Sequence, residues 1–457
     1  MRKKFQILTA AVLATGMLLA GCAKNETPSQ SGASQEEAAA AATSTAEEES
    51  GEPAAPQTDE AGWQLEENAV LLPISQADYV VGEGVTPQNE KGETYFDEDV
   101  GLLSALSPDA TVTYTVPEGV DGSYDIYLRM SKSLAAFCST PFTISINEGP
   151  EIAVPVEIQI SADSPAATDA STGVWSDSGR FCYGRNADLK AGDTITIRAA
   201  HGSRAGSVKR QAFPSLGSIT LIPAGELVAV GFDNKMEEPL AQADPSDPLS
   251  GLKIVWLGSS VTFGANSTNN YTMGDAIQDR HVGTQCLKYA MSTTTLVNAN
   301  ENSYVARLKE VDPNCQPDLL IVQLSTNDAT TGKPLGEMTD SFNPATFDDQ
   351  TIIGAIETII DYGRNTLGCD VLFYTGTWYE DEAYAQMVDV LMQIQQKWGI
   401  GIIDLYHNEE MTALYGTDQY NAYMFDKIHP NYDGYVEWWT PAFEQSLTEY
   451  LANNADN

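Results

Sequence analysis

Three short stretches in the second half of the chain hold residue types that can do acyl chemistry. "GSSVTFG" (Gly258 to Gly264) places Ser259 and Ser260 directly after the apolar run "LKIVWL". "STND" (Ser325 to Asp328) follows a second apolar run, "LLIVQL". "FDKIHPNY" sets Asp426 three residues before His429, with Pro430 next. A serine hydroxyl is a poor nucleophile until a base removes its proton, and the chain offers four histidines as bases. His201 falls in a strand-rich region, His281 at an expected helix start, and His407 after a strand-like run. His429 differs because a carboxylate three residues back can reach the imidazole Nδ1–H, leaving Nε2 free to serve a serine. Asn327 offers an amide donor of the kind that stabilises an oxyanion; its place after a buried strand equally suits a helix cap.

These residues need a scaffold that brings distant strand ends together. From Gly251 onward, continuous apolar runs suited to buried parallel strands occur at "KIVWLG", "TTLVN", "DLLIVQLS", "DVLFYTG" and "IGIIDLY". Between them, "FDDQTIIGAIETIIDYGRNTLG" puts Ile352, Ile353, Ile356, Ile359 and Ile360 on one stripe. "DEAYAQMVDVLMQIQQKWG" does the same with Met387, Val388, Leu391, Met392 and Ile394. The alternation predicts a three-layer αβα domain with a five-stranded parallel, flavodoxin-like sheet over residues 251–457. Ligands of such sheets sit past the carboxyl ends of strands where the order reverses. With strand order 2-1-3-4-5, Ser260 and Asn327 face one crevice.

"GSSVTFG", "STND" and "DKIHP", in that order, resemble the SGNH hydrolases, the GDSL esterase/lipase family. The resemblance implies a Ser260 nucleophile, an Asn327 oxyanion donor, and Asp426 and His429 as the rest of a triad. Ser259 stands where the family has the aspartate of G-D-S, which is not the triad acid. The family's second block supplies a glycine N–H to the oxyanion hole; "AMSTTTLVN" (Ala290 to Asn298) is the best match, with Thr293 at that place. Ser325 replaces the glycine that opens G-x-N-D. The resemblance implies a serine carboxylic-ester hydrolase that needs no cofactor or metal, with an oxyanion hole built from Ser260, Thr293 and Asn327.

The first 250 residues read differently. Arg2, Lys3 and Lys4 precede an apolar segment ending in Leu19-Ala20-Gly21-Cys22, which resembles a bacterial lipobox. It implies cleavage before Cys22, lipidation there, and a cell-surface protein held at the membrane by its lipid alone. Residues 23–62, rich in Ala, Glu, Ser, Thr and Pro, read as a disordered acidic linker. Residues 63–225 show period-two alternation in "ATVTYTV", "SYDIYLRM", "FTISIN", "IAVPVEIQI", "DTITIRAA" and "GSITLIP". That pattern predicts an antiparallel β-sandwich, and residues 226–250 a linker to the α/β domain.

"DGSYDIYLRMS" and "LKAGDTITIRAA" resemble strands of carbohydrate-binding modules, which implies that Trp63, Trp175, Phe181 or Tyr183 stacks on sugar rings. Cys138, Cys182, Cys286, Cys315 and Cys369 leave two readings open: bridges Cys138–Cys182 and Cys286–Cys315, or buried free thiols.

The net charge of −40, from 64 acidic and 24 basic side chains, argues against nucleic acid as a partner. Together these readings favour O-acyl groups, acetyl above all, on an extracellular polysaccharide. A lipase or lysophospholipase and a non-catalytic glycan-binding lipoprotein are the alternatives.

Overall fold

The computed structural model describes residues 57–60, 62–80, 95–97, 101–104, 106–131, 138–156, 178–204, 211–231, 235–237 and 242–454. The lipobox with Cys22, and Trp175, lie outside them. Among the described residues no helix is long and apolar enough to cross a membrane.

The alternating runs before residue 225 form two antiparallel sheets. In the smaller sheet, Thr111–Thr115 and Phe142–Ile146 flank Thr194–Ala199. The larger sheet is centred on Asp121–Ser131, between Ser178–Lys190 and Ser215–Pro223. Val112, Tyr114, Ile144, Ile195 and Ile197 of the first sheet share one core with Ile126, Leu128, Leu216, Ile219 and Leu221 of the second. This is the sheet-on-sheet packing that period-two patterning demands.

Phe181 and Tyr183 are buried in that core. The expectation that either stacks on sugar is therefore corrected: their alternation marks an inward face. Trp63 is half-buried.

Three further features depart from the sequence pattern. Ser215–Pro223 is buried on both faces, because the segment near residue 60 covers its outer side. There Glu60 accepts Ser218 Oγ at 2.6 Å, and Glu66 grips Arg180 at 2.7 Å. The run from Ile152 is a strand only to Ala153, and Pro155 has no N–H to extend it. Within the stretch expected as a linker, Val228–Gly231 and Lys235–Glu237 pair with each other at the edge of the larger sheet.

The parallel sheet consists of β1 (Lys253–Gly258), β2 (Gln285–Ala290), β3 (Leu319–Gln323), β4 (Asp370–Tyr374) and β5 (Gly401–Ile403), in the order β2-β1-β3-β4-β5. Its helices include α1 (Ser260–Phe263), α2 (Met273–Arg280), α3 (Tyr304–Leu308), α4 (Thr326–Thr330), α5 (Ile352–Tyr362), α6 (Glu382–Trp398) and α7 (Thr440–Asn454). Alternate strand residues serve the two faces. Val255, Leu257, Val322 and Phe373 pack under the isoleucines of α5 and under Val388 and Leu391 of α6. Trp256, Ile321 and Tyr374 pack against Ile277 of α2 and Phe443 and Leu447 of α7. Thr351 and Asp381 cap α5 and α6 by accepting the N–H groups of Gly354 and Tyr384.

One strand assignment is corrected. The second strand is "QCLKYA", and "TTLVN" is a loop. Lys288 is tolerated in β2 because its ammonium reaches Asp275 at 2.7 Å. Leu296 and Val297 are buried, but their N–H groups go to a side chain (the Asp328 carboxylate) rather than to a neighbouring strand.

His281 ends α2 rather than opening it. None of the five cysteines after residue 22 is disulfide-bonded to another of them. Ala55–Asn457 forms a single compact unit.

Candidate active site

The turn after β1 is built for close approach. A Cβ at Gly258 would lie 1.7 Å from Thr262 Oγ1, and Gly264 closes α1 with a φ of 83°. The buried side chain of Gln323, at the end of β3, organises this turn. Its Oε1 accepts Ser259 N–H and Thr262 Oγ1–H, each at 2.9 Å. Tyr374 meets Thr262 Oγ1 at 2.6 Å, and Tyr435 OH donates to the Val261 carbonyl at 2.7 Å. Ser260 is the first residue of α1, so its N–H has no acceptor within the helix.

Ser260 Oγ lies 2.7 Å from His429 Nε2 across 169 residues of sequence. His429 Nδ1 lies 2.9 and 3.0 Å from the two Asp426 oxygens. The four-residue turn that carries both is closed by Phe425 N–H donating to the His429 carbonyl and by a bridge between Met424 and Pro430. Burial pushes the Asp426 carboxyl up, but the N–H groups of His429 and Ile428 outweigh it. With the imidazole they hold the acid below its ordinary value. The Nδ1–H therefore faces a carboxylate, which selects the tautomer with a free Nε2 lone pair.

The other histidines face carboxylates away from Ser260. His201 Nε2 meets Glu310, His281 Nδ1 meets Asp247, and His407 Nδ1 meets Asp404.

Asn327 is the second residue of α4, so it does not cap that helix; its Nδ2 donates to the Thr294 carbonyl at 2.8 Å. The loop it holds begins at Met291, whose N–H donates to the Gly258 carbonyl at 3.2 Å. The loop thus starts beside the Ser260 turn. Thr293 has a φ of 69°, a left-handed conformation that glycine adopts freely and a β-branched residue rarely does. The position that family resemblance gives to glycine therefore still has glycine geometry, with its N–H retained. Asp328, fully buried, accepts Leu296 N–H at 2.7 Å and Val297 N–H at 3.1 Å. Burial raises its carboxyl above the ordinary value against these hydrogen bonds.

A cavity of about 10 Å³, about one water in size, lies behind Val261 and Ile428 and is walled by Leu324, Thr326, Gly376 and Thr377. Among the described residues no group of three or more His, Cys, Asp or Glu side chains is placed to hold a metal ion.

Sequence reasoning missed Gln323, Asp328 and Arg307. A polar side chain closing an otherwise apolar strand was the available sign for Gln323. A lone arginine among apolar neighbours in "YVARL" was the sign for Arg307, which is wholly buried and donates to the Gly258 carbonyl at 2.8 Å.

Residues 256–436 match the GDSL-like lipase/acylhydrolase family. Among solved structures the chain is similar to a family two carbohydrate esterase from Cellvibrio japonicus. The two are 14% identical, with 83% of this chain and 98% of that one covered and a TM-score of 0.33. It is also similar to a family two carbohydrate esterase from Clostridium thermocellum in complex with cellohexaose. That pair is 11% identical, with 76% and 94% covered and a TM-score of 0.36. A protein from Lactobacillus plantarum is 19% identical, covers 45% of this chain and 98% of its own, and gives a TM-score of 0.36. No curated protein matches the chain.

Proposed function

With residues 256–436 as an SGNH-type hydrolase domain of the esterase/lipase class, we propose that Ser260, His429 and Asp426 are a catalytic triad that hydrolyses O-acyl esters. The observation that carries this is the unbroken chain from Ser260 Oγ to His429 Nε2 at 2.7 Å and from Nδ1 to Asp426 at 2.9 Å. Ser260 Oγ attacks the ester carbonyl as its proton passes to Nε2. The carbonyl oxygen becomes an oxyanion facing the Ser260 N–H, the Thr293 N–H and the Asn327 amide. Collapse breaks the bond to the alcohol oxygen, which takes the proton from Nε2 and leaves an acyl-serine. Water, deprotonated by the same nitrogen, then releases the acid and restores Ser260.

The reading extends to acetyl groups on an extracellular polysaccharide. Phe425, 66% exposed next to Asp426, offers a ring face to a sugar. A neutral glycan is also the polymer most compatible with a net charge of −40. Lipidation at Cys22 would place this activity on the outer face of a membrane.

Hydrolysis of p-nitrophenyl acetate by the protein, set against Ser260→Ala, tests the triad. Equal inertness of the two on acetyl and longer esters refutes it and favours a glycan binder. A clear preference for octanoate over acetate replaces the polysaccharide reading with a lipase. Asn327→Ala should lower kcat by roughly 10²–10³-fold while leaving the fold intact. Acetate release across a panel of acetylated glycans identifies the polymer. Cys22→Ser should shift the protein from the detergent phase to the aqueous phase, and an unchanged partition refutes the anchor.

A further inference from the structure

The loop Met291–Val297 is gripped from three sides. Asp328 takes two of its N–H groups. Arg307 of α3 donates Nη1 to the Tyr289 carbonyl and Nη2 to the Gly258 carbonyl and Thr294 Oγ1, at 2.8 and 3.1 Å for the latter two. Its Nε donates to Asn302 O at 3.0 Å. The third grip comes from the two-sheet region. Ser139 N–H donates to the Ala290 carbonyl at 2.9 Å, Cys138 bridges to Met291, and Tyr289 OH reaches back to the Ala153 carbonyl at 3.1 Å.

We propose that Arg307 and the segment Cys138–Thr140 are positioning elements that hold this loop in its oxyanion-binding shape, making the two-sheet region a working part of the active site. The inference rests on the reading of Ser260 as nucleophile.

The chemistry of Arg307 argues for a positional role. The side chain is fully buried, and Glu310, the carboxylate whose charge reaches it, pairs with His201 at 2.9 Å. A buried charge is costly unless its donors are met, and an apolar side chain would fill the space at less cost. The oxygens it collects are the Gly258 and Tyr289 carbonyls near the ends of β1 and β2, the Thr294 hydroxyl and the Asn302 carbonyl, and the first three fix the Ser260 turn relative to the loop. Its planar fork can span all of them, whereas an ammonium cannot.

Thr293 supplies the reason such a grip is needed. Its side chain is exposed and its φ is 69°, so no packing of its own holds it in a disfavoured conformation. The surroundings must impose that conformation. The two-sheet region shares in this by more than surface contact, since Ala153 sits in the same core as Tyr289, Leu296 and Val297.

The test is a double-mutant cycle in the full chain with p-nitrophenyl acetate. Arg307→Lys should lower kcat by roughly 10-fold or more with KM changed less than about twofold, the signature of a disturbed oxyanion donor. On a Thr293→Gly background, where the backbone reaches φ near 70° unaided, the same substitution should cost less than about threefold. Losses that simply multiply, or a kcat untouched by Arg307→Lys, overturn the proposal.

Amide exchange reads the grip without catalysis. Arg307→Lys, and separately Tyr289→Phe for the two-sheet side, should speed exchange at Leu296 and Val297 but not along β3. Unchanged exchange in either variant removes that arm of the grip. If wild type and Ser260→Ala prove equally inert on esters, the esterase reading falls and the exchange result alone decides whether the loop is clamped.

Discussion

Replacing Gln323 with methionine probes how the Ser260 turn is held. The swap keeps an unbranched chain of similar volume but deletes the Oε1 that accepts Ser259 N–H and Thr262 Oγ1–H at 2.9 Å. The two donors fare differently afterwards. Thr262 Oγ1 still has Tyr374 OH at 2.6 Å, so its loss is one neutral hydrogen bond, about 1 kcal/mol. Ser259 is wholly buried, and its N–H is left without an acceptor at about 1–3 kcal/mol. The sum is about 2–4 kcal/mol, a sizeable part of the roughly 5–15 kcal/mol that holds a typical domain together.

Urea unfolding followed by fluorescence should show that loss with the slope unchanged. Activity should fall as well, because Ser260 follows directly on the loosened residue. A misplacement of about 1 Å at the reacting atom can cost on the order of 10²-fold in rate. Gln323→Met that unfolds within about 0.5 kcal/mol of wild type, or keeps full kcat, would refute the view that this amide oxygen holds the turn.

Gly258→Ala should be more damaging than a typical glycine replacement, because its Cβ would meet Thr262 Oγ1 at 1.7 Å. A stability loss of about 1–3 kcal/mol or more in urea checks this. Asp426 carries a depressed pKa, so its contribution to stability is full above the ordinary carboxylate value and is lost as pH falls through the depressed one. Acid unfolding of Asp426→Asn should accordingly be less steep than that of wild type. Asp328 is shifted the other way. Its contribution is full below the ordinary value and is lost as pH rises through the raised one, so the advantage of wild type over Asp328→Asn should shrink across that window in thermal unfolding at stepped pH. Tyr435→Phe removes the donor to the Val261 carbonyl at 2.7 Å and should cost about 1 kcal/mol in the same unfolding assay.

Sheet order and helix faces could be read from the sequence because they rest on periodicity, which burial enforces along a whole element. The isoleucines of α5 and the run "KIVWLG" had no other place to go. "TTLVN" misled for a local reason. Leu296 and Val297 are as buried as strand residues, but Asp328, more than thirty positions later, takes their N–H groups, and no window of sequence contains both partners. Arg307 is hidden for another reason: three of its four acceptors are main-chain carbonyls, which every residue possesses. Phe181 and Tyr183 show a complementary error. An aromatic residue in a strand reads equally as a sugar platform or as core, and only the register of the neighbouring strands, which sets the inward face, decides between them. His429 was legible because its partner Asp426 is three residues away and both belong to one turn.

That turn has a mechanical consequence. Asp426 and His429 travel together as a cassette of four residues, whereas the Ser260 hydroxyl beside the imidazole belongs to a different part of the molecule. Warming that loosens α7 and the turn preceding it would part the imidazole from Ser260 while leaving its bond to Asp426 intact. Heat inactivation would then begin as a reversible separation of two finished halves, with a proton already poised on one side and nothing to receive it.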